Sequence, residues 1–104
     1  MSDMKKILVI DDDPTIVQSI SAFLKSMYEI DSACNGNEGL EKIDSFKPDL
    51  IILDLLMPEK DGFDVCKTIK SDEALKNIPV ITLSSFTELF DMRFGTQDTH
   101  KALP

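Results

Sequence analysis

The sequence predicts an α/β fold: a doubly wound parallel sheet with helices on both faces. Three observations carry this. The runs Ile7-Leu8-Val9-Ile10, Ile51-Ile52-Leu53 and Val80-Ile81-Thr82-Leu83 are near-continuous rather than alternating, as in strands covered on both sides. The stretches between them space their apolar residues three and four apart, as helices do. The two kinds of segment alternate through short connections, which calls for crossover units in a parallel sheet.

The first strand ends at Ile10, before Asp11-Asp12-Asp13. Asp12 or Asp13 caps a helix that carries Pro14 in its first turn, where a missing N–H costs nothing. Ile16, Val17, Ile20, Phe23, Leu24 and Met27 give that helix one apolar face, expected to be buried. Tyr28 to Ala33 is a short second strand, and Asn35-Gly36-Asn37 a turn and cap. The second helix, with Leu40 and Ile43 on its apolar side, stops at Lys47-Pro48. The third strand ends in Asp54, followed by Leu55-Leu56-Met57-Pro58. Asp61-Gly62 opens a third helix on which Phe63, Cys66 and Ile69 share a face. A polar connection over 71–77 leads to the fourth strand and Ser84-Ser85. Phe86, Leu89, Phe90 and Phe94 have the spacing of a further helix, and 95–104 shows neither strand nor helix pattern. The chain is therefore expected to be a single domain over 1–104 without a regular fifth strand or fifth helix.

Composition narrows the function. Apolar residues make up 42% of the chain, enough to support a core. A net charge of −8 argues against direct nucleic-acid or anionic-membrane binding. The first residues do not form a signal peptide, and no run approaches the roughly 18 apolar residues of a membrane span. Cys34 and Cys66 lack metal-ligand spacing and fit free thiols in a reducing cytoplasm, expected with the phenylalanines to pack in the interior.

Strands that release acids and hydroxyls at one end of a sheet define a site. In a doubly wound sheet that site lies beyond the carboxyl ends of the strands, where the winding reverses. With a flavodoxin-like strand order, Asp11 and Asp12 face Asp54 there. Two unit charges about 5 Å apart repel by about 3 kcal/mol at an effective dielectric near 20. Such a cluster raises its pKa values or holds a cation. An all-oxygen set suits Mg²⁺, with Asp11, Asp12, Asp54 and the backbone carbonyl of Leu56 as candidate ligands. One carboxylate left free to attack, with the Ser84 hydroxyl nearby, suits phosphoryl transfer through an aspartyl phosphate.

The acid pair Asp11-Asp12, Asp54 after Ile-Ile-Leu, Met57-Pro58, Asp61-Gly62, and Ile78-Pro79-Val80-Ile81 leading to Ser84-Ser85 occur in register. In these motifs the chain resembles the receiver domain of two-component response regulators over about residues 4–85, with 86–104 divergent. The resemblance implies that Asp54 is the phosphoacceptor, supplied by a sensor histidine kinase or histidine phosphotransfer protein. It implies that Asp11 and Asp12 position Mg²⁺ and that Ser84 is the hydroxyl that moves toward the phosphate. The family's Lys-Pro pair after a fifth strand has no counterpart by Pro104, and Lys101 stands too close to Ser84 to serve. Losing that cation removes a charge-assisted contact, which makes a switching-defective remnant one alternative. Losing the strand leaves a sheet edge open to weak self-association of an otherwise monomeric chain. A one-nucleotide shift over Asp98 to Pro104 permits Ile-Leu-Ile-Lys-Pro-Phe, an expectation that gene sequencing tests.

A second alternative is enzymatic. Asp11-Asp12-Asp13-Pro14-Thr15 also fits the Asp-x-Asp-x-Thr pattern of haloacid dehalogenase-like phosphohydrolases. Asp11 is then the nucleophile, Asp13 the general acid and Ser84 the phosphate-binding hydroxyl. That alternative leaves Asp54 without a role.

Overall fold

The computed structural model describes residues 4–55, 57 and 62–83. In chain order they form β1 (Lys6–Ile10), α1 (Pro14–Leu24), β2 (Glu29–Ala33), α2 (Gly36–Phe46), β3 (Leu50–Asp54), α3 (Gly62–Ser71) and β4 (Val80–Leu83). The expectation of no regular fifth strand or helix concerns residues beyond 83, outside the described ones, as do the calls on Leu56 and Ser84.

All strands are parallel, in the order β2-β1-β3-β4. The chain steps outward from β1 to β2, then crosses back to place β3 on the other side of β1. The reversal therefore falls between β1 and β3, whose register pairs Ile10 with Leu53. The next residues on each strand are Asp11 and Asp54, so the register alone sets the two acids side by side.

Alternation along the strands separates two cores. Leu8 and Ile10 of β1 and Ile51 and Leu53 of β3 point to one face, where Ile43 of α2 and Val65 and Ile69 of α3 meet them. Ile7, Val9 and Ile52 point to the other, beneath Val17, Ile20 and Leu24 of α1. Helices on both faces make the sheet doubly wound. By the same alternation Asp11 and Asp54 belong to the α1 face.

The caps explain where helices begin and end. Asp13 is the N-cap of α1 and accepts the Thr15 N–H at 2.9 Å, with Pro14 in the first turn. Asn35 caps α2, accepting the Glu38 N–H at 2.8 Å. That helix ends at Lys47, whose left-handed backbone (φ 56°) turns the chain into Pro48.

Three packing expectations are corrected. No residue of α1 is buried: Val17, Ile20 and Leu24 pack on the sheet, whereas Ile16, Phe23 and Met27 are exposed, Phe23 at 79%. At 100° per residue the first three span about 60° of arc and the other three lie beside them, so the stripe is wider than its contact. On α3 the buried positions are Gly62, Val65 and Ile69, with Cys66 partly covered, while Phe63 faces solvent. Cys34 is exposed because it sits past the end of β2 at the mouth of α2.

Candidate functional site

The sheet stitches the ends of its strands together at the site. The Asp11 N–H donates to the Ala33 carbonyl at 3.0 Å, tying the end of β1 to β2. The Leu55 N–H donates to the Leu83 carbonyl at 3.1 Å, tying the end of β3 to β4. Asp11 and Asp54 thus stand on backbone held from both sides. Asp12 follows in the turn to α1.

Asp11, Asp12 and Asp54 each offer a carboxylate oxygen, and these oxygens all lie within 4.8 Å of one another. Asp11 is buried, at 5% exposure, Asp54 is half-buried and Asp12 exposed. Burial pushes the Asp11 carboxyl above the usual aspartate range; Asp12 and Asp13 add to the rise. The Asp13 N–H, donated to Asp11 Oδ1 at 2.9 Å, and a hydrogen bond with Asp54 oppose it without cancelling it. A set of hard oxygen donors, one taken out of water against its charge, fits a hard divalent cation such as Mg²⁺.

The acids open into a hollow of about 520 Å³ that Ile16, Ile20 and Leu83 also line. On the other side Asp11 and Asp12 border a second hollow of about 350 Å³, toward Ser32, Cys34, Glu38 and Lys42. Glu38 is held below the usual glutamate range, first by the Cys34 N–H at 2.8 Å and then by the Cys34 thiol at 3.1 Å. Lys42 Nζ is committed to Asp31 at 3.0 Å and to the Ser32 carbonyl at 2.7 Å.

The structure therefore brings together three of the site residues expected from sequence, Asp11, Asp12 and Asp54. Asp13 is engaged as the α1 cap, which gives no support to a general-acid role for it. Sequence reasoning passed over the Cys34–Glu38–Lys42 wall. Its one signal was Glu38 three residues after Asn35, a capping-box spacing.

A parallel sheet that gathers carboxylates at its reversal point has the geometry to hold a cation there. The chain belongs to the response regulator receiver domain family, whose pattern it matches over residues 7–99, past Ser85. It is 38% identical over 94 residues to the alkaline phosphatase synthesis transcriptional regulatory protein PhoP of Bacillus subtilis, covering 89% of this chain and 38% of that protein. It is 40% identical over 95 residues to protein PilG of Pseudomonas aeruginosa, covering 90% of this chain and 70% of that one. The crystal structure of the phosphorylated cyanobacterial phytochrome response regulator RcpA superimposes with a TM-score of 0.75 at 33% identity, over 93% of this chain and 76% of that one. Receiver domains serve two-component signalling, and the fold and strand order here are those of that family.

Proposed function

We propose that this chain accepts a phosphoryl group on Asp54 in a two-component pathway, in a reaction that depends on Mg²⁺. The observation that carries the reading is the meeting of Asp11, Asp12 and Asp54 within 4.8 Å at the sheet reversal. Asp54 is the carboxylate best placed to attack, since it ends a strand and is only half-buried. Its oxygen forms a bond to phosphorus as the bond to the donor's leaving atom breaks, giving an acyl phosphate. Asp11 and Asp12, with the Leu56 carbonyl proposed from sequence, are the residues that would hold Mg²⁺. When bound, Mg²⁺ supplies positive charge against the phosphoryl oxygens. Asp11 contributes a carboxylate that burial already destabilises, so neutralisation by a cation is favoured there. Ser84 is proposed as the hydroxyl that meets the phosphoryl group after transfer.

The donor is proposed to be a sensor histidine kinase or a histidine phosphotransfer protein. Ile16, 38% exposed and lining the same hollow as Asp54, offers such a partner an apolar foothold beside the acceptor. The net charge of −8 supports a role without direct nucleic-acid contact. No helix among the described residues is long and apolar enough to cross a membrane. Cys34 and Cys66, which form no disulfide among the described residues, support a cytoplasmic setting. Ile81 on β4 is half-exposed, which supports weak self-association of an otherwise monomeric single domain.

The test is direct. The protein is incubated with Mg²⁺ and acetyl phosphate, the product is trapped with borohydride, and the modified residue is mapped. Label on Asp54, lost in Asp54→Asn, is expected. Label on Asp11 instead supports the phosphohydrolase alternative, and no label supports a remnant that has lost phosphoacceptance.

A further inference from the structure

Gly62 opens α3 and brings the chain back onto the end of β3. Its N–H donates to the Leu55 carbonyl at 3.0 Å, so the connection closes on its own starting point. A Cβ at position 62 would overlap the Asp54 carbonyl oxygen and the Leu55 Cα, and would lie 2.8 Å from the Asp54 carbonyl carbon. All three obstructing atoms are backbone, so no rotamer change makes room. Gly39 in α2 provides the contrast. The three atoms nearest a Cβ there all belong to the Ile10 side chain, with Cδ1 at 2.6 Å, so the overlap is with a side chain and not with backbone.

We infer that Gly62 is a positioning residue for the phosphoacceptor: the bare backbone at 62 fixes the Asp54–Leu55 peptide and so the distance from Asp54 to Asp11 and Asp12. The inference rests on the reading of Asp54 as the acceptor. Val65 and Ile69 anchor α3 in the deep core, and β3 is held between β1 and β4. The overlap falls on the Asp54–Leu55 peptide itself, so relieving it strains the backbone that carries Asp54. Relief of the overlap requires a displacement of about 1 Å, and a misplacement of that size costs on the order of 100-fold in rate.

The experiment compares the full chain with Gly62→Ala and Gly39→Ala. It reads thermal stability, Mn²⁺ affinity by electron paramagnetic resonance, and the rate of Asp54 labelling by acetyl phosphate. Gly62→Ala is expected to label about 100-fold more slowly and to bind Mn²⁺ about tenfold more weakly. Gly39→Ala should stay within about threefold of the parent on both, even where its stability falls, because only a side chain is disturbed. Parent-like labelling and affinity in folded Gly62→Ala would overturn the inference. An unlabelled Asp54 in the parent protein would instead overturn the reading beneath it, before any variant is made. Should Gly62→Ala not fold, the parent protein decides: Mg²⁺ addition should shift the Gly62 amide resonance and leave that of Gly39 in place. A Gly62 resonance indifferent to Mg²⁺ would overturn the inference.

Discussion

Among the described residues, the two faces of the sheet are built to different depths. On the α2/α3 face nine buried residues form one cluster, with Leu40, Phe46, Cys66, Leu75, Ile78 and Val80 packed around it. On the α1 face three apolar residues are buried among the described ones, and α1 contributes only half-covered side chains. The acids project to the thinner side. Stability and chemistry are thus divided across one sheet: the deep face holds the strands in register, and the shallow face leaves their charged ends accessible.

The sharpest way to break this comparison is to truncate one side chain on each face. Leu53→Ala should cost about 2–5 kcal/mol, since Leu53 is fully buried among α2 and α3 side chains. Phe23→Ala, on the exposed flank of α1, should stay within about 0.5 kcal/mol despite removing a larger group. Urea denaturation of both variants checks the pair, and equal losses would mean that α1 is covered as deeply as α2. A smaller effect tests the deep-face helix at its start. Asn35→Ala removes the α2 cap and should cost about 1 kcal/mol. An unchanged denaturation midpoint would show that Glu38 and Cys34 hold the terminus without it.

The smallest expected effect is one of pH on the shallow face. Burial raises the Asp11 pKa above its ordinary value, so the folded state binds its proton more tightly than the unfolded chain. In the metal-free protein, stability contributed by Asp11 is full below the ordinary aspartate pKa and is lost as pH rises through the raised one. Asp11→Asn lacks this decline. Denaturation in EDTA should show the variant gaining on the parent through that window and holding a constant lead above it. A difference that does not vary with pH would refute the burial argument.

Much of the fold was legible because strands buried on both faces must be apolar throughout, and Ile7 to Ile10 and Ile51 to Leu53 are. The placement of Asp11 beside Asp54 was legible because each terminates such a run and the winding has one reversal. The half-burial of α1 was not. Its apolar residues, with Met27 lying just past its end, carry no mark of which half meets the sheet, and that depends on how little Ile7, Val9 and Ile52 present beneath it. Spacing favours Phe63 over Val65 on the face shared with Cys66 and Ile69, and the structure reverses this because spacing gives a face but not the angle at which α3 is laid down. Gly62 read as a helix start because a glycine in sequence does not disclose which backbone passes close by.

The shallow seating of α1 also sets how the molecule breathes. With few apolar contacts to give up among the described residues, α1 can lift locally at much less cost than unfolding the sheet, so its amides exchange ahead of those in β1 and β3. Asp11 and Asp54 ride on the strands, so such opening widens access to the acceptor while the two carboxylates keep their spacing.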